Sequence, residues 1–383
     1  KETSDKIGDL SSSKVNKVDT VLNILDYEKY KVGSDWASAI QQAVTSISNG
    51  GTIFFPKGTY QTSKQIPYVS NLVIKGEGYN KSILQYIGKE SITAFIDVTS
   101  NGLTLQDVRI SGNYANDNMQ TCHGIYMHTT SGQSGGHYFR NVYIDNFGGH
   151  GFYLGSSVYM CMFSDIRSYS NGMCGLYIDG TDCTFSNIHT QGNKQHGIAM
   201  IGGNNRLNNF NCIFNGKSGI AYAGYYQKAW NCQVSNGQCQ DNYYHGYIFD
   251  GAIHSTLTSL ATDANGCAYN EALDSQITAY GFMFKNNCFN INGAIQAINY
   301  RANISCIAGL LIDSTCNNIN VKYEELSKYF LQKPIISSSL VRVDTTSEHL
   351  YSKFIKSGKT LNNVMVNPNF SANSGHRDYF CTA

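Results

Sequence analysis

The sequence predicts an all-β solenoid, one long domain of stacked turns that each touch only their neighbours. A recurring triplet carries the prediction first: His123-Gly124-Ile125, His150-Gly151-Phe152, His196-Gly197-Ile198 and His245-Gly246-Tyr247. Cys174-Gly175-Leu176, Ser218-Gly219-Ile220 and Tyr280-Gly281-Phe282 read as further copies, so the glycine steps are 27, 24, 22, 22, 27 and 35 residues. Units of this length, made of short β-rich runs and turn residues, are the mark of a solenoid. The second observation is a column of amides. Asn171, Asn193, Asn215 and Asn242 each stand four residues before a repeat glycine, and stacked amides can hydrogen-bond from turn to turn at the strand spacing of about 4.8 Å.

Composition fits one long domain. The 28 Lys and Arg balance 27 Asp and Glu, for a net charge of +1, which excludes the broad basic field of a nucleic-acid binder. Only 14% of the residues are charged, while there are 27 tyrosines. Tyrosine beside amides suits the faces of sugars, and it equally suits packing within a wall. The cysteines Cys161, Cys174, Cys183, Cys212, Cys232, Cys239 and Cys267 show neither C-x-x-C nor zinc spacing. They read as free, small, buried hydrophobes of a protein folded in a reducing compartment. The chain begins Lys1-Glu2-Thr3-Ser4 and holds no run of about 18 apolar residues, so neither a signal peptide nor a membrane span is expected in it.

Residues 1–28 place Ile7, Leu10, Val18, Val21, Leu22 and Leu25 near a heptad pattern, which predicts a short helical neck or linker. Residues 29–90 hold a capping helix and the first turns. Ser34 or Asp35 supplies the N-cap, Trp36, Ala39, Ile40, Ala43, Val44 and Ile47 form one apolar stripe, and Asn49-Gly50-Gly51 ends it. Such a helix closes the open end of a solenoid, whose first turn otherwise exposes apolar cross-section and strand edge. From 91 to 320 the repeats run on alternating strands such as Phe139, Val142, Ile144 and Phe163, Ile166. Past 320 the rhythm stops, and Tyr323–Phe330 reads as a turn or short helix within a C-terminal segment, 321–383.

The succession Asp35-x-x-x-Ala39-Ile40-Gln41-x-Ala43-Val44, Gly50-Gly51-Thr52-Ile53-Phe54-Phe55-Pro56-x-Gly58-Thr59-Tyr60 and Leu72-Val73-Ile74-Lys75-Gly76-Glu77-Gly78 resembles the pectate-lyase-like family of right-handed parallel β-helices. The match spans about 25–90 by motif and 90–320 by repeat style, with Ser34-Asp35 where the family has paired acids. With a helical neck before it, the chain looks most like bacteriophage tailspikes and related polysaccharide depolymerases. That resemblance implies a homotrimeric tail appendage of a virion, made in the host cytoplasm. It would meet other phage tail proteins and act on a bacterial surface glycan or teichoic acid, without a cofactor and without inserting in a membrane. The stretch Leu361–Phe370 resembles the opening strand of a carbohydrate-binding jelly roll, the start of a truncated further domain.

Sites on solenoids arise where particular turns are lengthened. The longest step, from Gly246 to Gly281, is flanked by Asp241 and contains Asp263, Glu271 and Asp274. Two carboxylates facing a sugar are the minimal apparatus of glycoside hydrolysis, one protonated to donate to the leaving oxygen and one ionised. Asp241, Asp263 and Glu271, with Asp274 in reserve, are therefore the expected catalytic set, although Asp241 and Asp263 also suit turns. Tyr225, Trp230, Tyr243, Tyr244, His245 and Arg206 are the expected substrate contacts, and no metal site is expected. The histidines of the triplet read as packing, because Cys174 and Ser218 occupy the same column. A lyase acting on a uronate polymer is the alternative chemistry, with Arg167, Arg206 and Arg301 as available cations, and a non-catalytic glycan-binding fibre is the third reading.

Overall fold

The computed structural model describes residues 21–114, 122–267, 279–299, 306–327, 330 and 332–345. These form an all-β parallel solenoid. One sheet holds 15 strands and a second holds ten, and successive turns of chain lie in order along both. Each central turn has a three-residue strand in the ten-stranded sheet, such as Phe152–Leu154, Leu176–Ile178 and Ile198–Met200. It then has an eight-residue strand in the long sheet, such as Tyr138–Asp145, Met162–Tyr169, Thr184–Gln191 and Arg206–Ile213. Parallel register stacks identical positions: Phe139, Phe163 and Phe185 lie in one inward column, their rings 4.6 and 4.7 Å apart.

Corners dictate which residues the turns can use. Among the described residues 22 non-glycine positions have positive φ, and 16 of these are Asn or Asp, the residues that tolerate the left-handed region. Most of them fall in three columns. Met160, Asp182, Asn204 and Asn231 turn the chain into the long strands; Asp107, Asn141, Asp165, Asn187, Asn209 and Asn236 bend those strands in their middle; Asn146, Ser170, Phe214 and Asp241 turn it out again.

Behind the third corner runs the amide ladder. The side chain of Asn171 donates to Asn193 (2.9 Å), Asn193 to Asn215 (2.9 Å), Asn215 to Asn242 (3.2 Å) and Asn242 to Asn265 (2.8 Å). Asn265 adds a rung beyond the four read from the sequence. The glycine column departs from its expected course at one place: Gly197 pairs with Gly224, and Gly219 lies in a loop. The extra residues of that turn therefore follow ladder residue Asn215 directly, as residues 266–279 follow Asn265.

Helix α1, Ala37–Ser46, covers the first turns with Ala39, Ile40, Ala43 and Val44 buried. Asp35 Oδ1 accepts from Ala37 N (2.9 Å) and Ser63 N (3.1 Å), and Asp35 Oδ2 from the Ser63 hydroxyl. Burial raises the Asp35 pKa, but the bonds from Ser63 and Ala37 lower it more, and the net is downward. Of the neck, residues 1–20 lie outside the described residues; Val21–Asn23 is a strand and Ile24–Tyr30 a 3₁₀ helix. Beyond 320 the solenoid goes on where a turn or short helix was expected: Asn317–Ser327 is a strand, with Ile335–Ile336 and Arg342–Thr345 stacked after it. The eleven described cysteines are free thiols, ten of them buried.

Candidate functional site

The expected site residues separate in three dimensions. Asp241 and Asp263 lie on adjacent turns, with Asp241 N donating to Asp263 O (3.1 Å). Asp241 is a left-handed corner residue, 4% exposed, and the Cys267 thiol stands 3.9 Å from its Oδ1. Tyr243 and Tyr244 are half-buried beside it, packed on Ala279, with the Lys217 ammonium 5.2 Å from the Tyr243 ring centre. Glu271, Asp274 and Arg301 lie outside the described residues. Trp230 and Arg206 are exposed at the opposite end of the long strands, the Trp230 indole lying against Gly203.

Two of the expected contacts lie in the interior. Tyr225 is completely buried, and its hydroxyl donates to Gln227 Oε1 (2.8 Å) in the interior. His245 is 2% exposed, with Nδ1 accepting from Tyr280 N (3.1 Å) and Nε2 bonded to Ile220 O (2.9 Å), so both ring nitrogens are engaged. Neither offers an atom to a ligand. The rest of the histidine column behaves alike. His123 Nδ1 accepts from His150 N (2.9 Å), His150 Nδ1 from Cys174 N (3.1 Å) and His196 Nδ1 from Ala223 N (3.1 Å).

The outward face of the ten-stranded sheet gathers a different set. Register places Asp97, Tyr126, Tyr153, Tyr177, Ala199 and Tyr226 in one column. The Tyr126 and Tyr153 rings stack at 4.6 Å, and Tyr177 meets Tyr153 edge-on at 5.0 Å. Burial raises the hydroxyl pKa of all three, keeping them neutral. Two residues beyond Tyr126, His128 stacks on its ring at 4.2 Å and bonds Asp97 Oδ1 through Nε2 (2.8 Å). The equivalent position two turns on is Asp179. Burial raises its carboxyl above the ordinary 3.8, and its carboxylate has no hydrogen-bond or ion-pair partner among the described residues. Between His128 and Asp179 in this column stands Gly155, where a Cβ would lie 3.5 Å from the His128 side chain.

A face of this kind can bind and act on a sugar. Neutral aromatic rings provide stacking surface, Gly155 presents no side chain between His128 and Asp179, and a protonatable carboxyl stands at one end. Asp97 orients the imidazole at the other end. Two turns separate His128 from Asp179, about 9.6 Å at strand spacing. Further along the same face Tyr226 donates to Asp250 Oδ2 (3.2 Å), which also pairs with Lys285 (3.4 Å). Among the described residues no cluster of three or more His, Cys, Asp or Glu could hold a metal ion, and no helix is long and apolar enough to cross a membrane. The tyrosines carried a signal in the sequence: each is the second residue after its repeat glycine. Asp179 carried none, because Asp179-Gly180 reads as an ordinary turn.

Residues 23–97 match the model of the family described as Rhamnogalacturonase A/epimerase, pectate lyase-like. No curated protein matches the sequence. Among solved structures, the chain is similar to the A-module of mannuronan C-5 epimerase AlgE4 from Azotobacter vinelandii (TM-score 0.65, 15% identity, 85% of this chain and 100% of that one). It is also similar to full-length tailspike protein 2 of Escherichia coli O157:H7 bacteriophage CAB120 (TM-score 0.64, 17% identity, 79% and 42%). A third is the pre-mature gene product 12 of bacteriophage phi29 (TM-score 0.59, 14% identity, 89% and 54%). The chain spans less than half the length of that tailspike. At these identities the likeness is one of fold, and it is the pectate-lyase-like parallel solenoid that the sequence motifs implied.

Proposed function

We propose that this chain is a tailspike-type depolymerase that binds and hydrolyses a bacterial surface polysaccharide on the outward face of its ten-stranded sheet. The observation that carries the reading is the pairing, across Gly155, of an unpartnered and partly desolvated Asp179 with the His128–Asp97 dyad. Asp179 protonates the leaving glycosidic oxygen. His128, held by Asp97, takes the proton of a water attacking from the other end, and the tyrosines hold the sugars flat. A spacing that leaves room for water is the inverting arrangement. Elimination is less well supported, since it needs a cation against the uronate carboxylate, and no Lys or Arg stands in the outward columns from Asp97 to Asp179. The fold shared with a phage tailspike protein supports a place in a tail appendage, and the trimer is the expectation that the sequence resemblance carries.

Asp241 and Asp263, neighbours across adjacent turns beside Tyr243 and Tyr244, support a second location for the acids on the same solenoid. One experiment separates the readings. Purified capsular and wall polysaccharides are incubated with the full chain and new reducing ends are counted. Asp179→Asn and His128→Ala are expected to lose at least about 100-fold in kcat, the usual scale of general acid–base catalysis, while Asp241→Asn and Asp263→Asn stay within about threefold of the parent. Loss confined to the Asp241 and Asp263 variants moves the site to the corner. Absorbance of an unsaturated uronate assigns elimination, and binding without any cleavage assigns a glycan-binding fibre.

A further inference from the structure

The long sheet carries a second concave surface that the proposed reaction does not use. Where its strands bend at the Asn and Asp column, a groove of about 740 Å³ runs along the solenoid axis on the outward side. The bend amides form its floor. Asn141 donates to Asp107 (2.6 Å), Asn187 to Asp165 (2.9 Å) and Asn209 to Asn187 (2.7 Å), and each amide keeps hydrogen-bonding capacity toward the open side. Arg167 lies along one wall with its guanidinium 4.6 Å from the Tyr79 ring centre.

Within this groove two polar atoms are buried without a partner: His189 Nε2 and Asn211 Oδ1. They belong to adjacent strands in direct register. Burial and the nearby Arg167 lower the His189 pKa, so the ring is neutral at neutral pH. A buried polar atom without a partner is a cost to the fold; both side chains line the groove and are partly exposed there, so a small rotation of either brings its polar atom to a ligand that completes it. The chemistry required is specific. With Nε2 protonated, the partner must accept from His189 and donate to Asn211. A hydroxyl does both, whereas a carboxylate or phosphate only accepts and an ammonium only donates. Repetition of the amide floor at the turn spacing of about 4.8 Å presents the same polar row to successive units of an extended chain.

We infer that the groove at the bend of the long sheet is a second glycan-binding site, which holds a hydroxyl-rich saccharide strand through His189, Asn211 and the bend amides. It shares with the reading above only the class of ligand. A strand held on each of two faces of one solenoid raises the effective concentration of polymer at the site of cleavage.

The test is electrophoresis of the full chain in native gels cast with dextran, galactomannan, mannuronan or purified wall teichoic acid, in an Asp179→Asn background so that no polymer is cut. At least one polymer is expected to retard the protein. Asn211→Trp, which fills the groove, and His189→Phe, which keeps a ring against Tyr169 and removes the ring nitrogens, are each expected to weaken that retardation at least fivefold, with the fold retained. In the parent background the same variants keep cleavage of short oligosaccharides within twofold. The inference is overturned if none of the four polymers retards the protein, if both variants are retarded like the parent, or if they shift the oligomeric state instead. Groove-dependent retardation in a protein that cuts nothing would sink the hydrolase reading and leave this one standing.

Discussion

At the residue scale, the His-Gly triplet is a ruler in which each part has a mechanical task. The histidine Nδ1 accepts the backbone N–H of the next turn, and Cys174 or Ala223 fills the position where that bond is not made. Glycine follows because a Cβ there would strike the next turn; at Gly151 it would stand 2.7 Å from Gly175 O. The triplet was legible as spacing, and its packing role was inferred from its tolerance of other residues. Its hydrogen bonds were not legible, since they join residues 24–35 positions apart. Gly237 shows the same limit more sharply. It occupies a wall position where bulky apolar residues stand on the other turns, and the Phe210 ring of the preceding turn fills the space of its missing side chain, 2.1 Å from where a Cβ would be. Gly237→Ala is therefore expected to destabilise by about 1–3 kcal/mol, as overpacking does. Chemical denaturation would measure it, and Phe210→Leu in the same chain should recover most of the loss; a neutral Gly237→Ala would show that the ring has room to move.

At the element scale, the stacked turn is a cooperative unit whose weak points are its buried polar groups. Asn193 is wholly buried. It accepts from Asn171 N (3.0 Å) and donates to Ser168 O (2.9 Å) and Asn215 Oδ1 (2.9 Å). Asn193→Ala leaves donors and acceptors on both flanking turns without partners, each worth about 1–3 kcal/mol when buried. The expected result is a loss of at least about 2 kcal/mol by denaturant titration, with hydrogen exchange accelerated first at the Asn171 N–H, which loses its acceptor. Loss below 0.5 kcal/mol would mean that water replaces the amide. The ladder itself was readable, because one residue type recurs at one offset from the glycine. Ser218-Gly219 was misread for the opposite reason: it mimics the triplet within a loop, while the true copy, Ala223-Gly224-Tyr225, lacks the histidine. Strand Asn317–Ser327 escaped because Glu325 breaks the alternation after Tyr323, although Ile319, Val321 and Tyr323 point inward and are buried.

At the scale of the whole molecule, the stack of neutral histidines couples stability to pH. Burial lowers His123, His137 and His245 from 6.5 to about 4, and His150 and His196 to about 3. As pH falls through 6.5 the unfolded chain takes up protons that the folded chain refuses, so stability declines toward pH 4; well above 6.5 these groups contribute no slope. Asp35 and Asp313, whose folded pKa values are lowered, act in a separate window below 3.8. Thermal melts at pH 8.5, 7.5, 5.5 and 4.5 should show a nearly constant Tm over the first two and a progressive fall over the last two. A Tm that is flat down to pH 5 would contradict burial of the column. The sequence by itself determined the all-β solenoid, its cap, its wall columns and its amide ladder, because a repeat writes each turn's contacts into a fixed offset along the chain. Only the tertiary structure decided which faces those offsets build. Register puts Asp179 two turns from the His128–Asp97 pair on one face and His189 beside Asn211 in a groove. Turns of unequal length hide the first alignment from linear spacing, and the bend of the strands, which makes the groove, is not written in spacing at all.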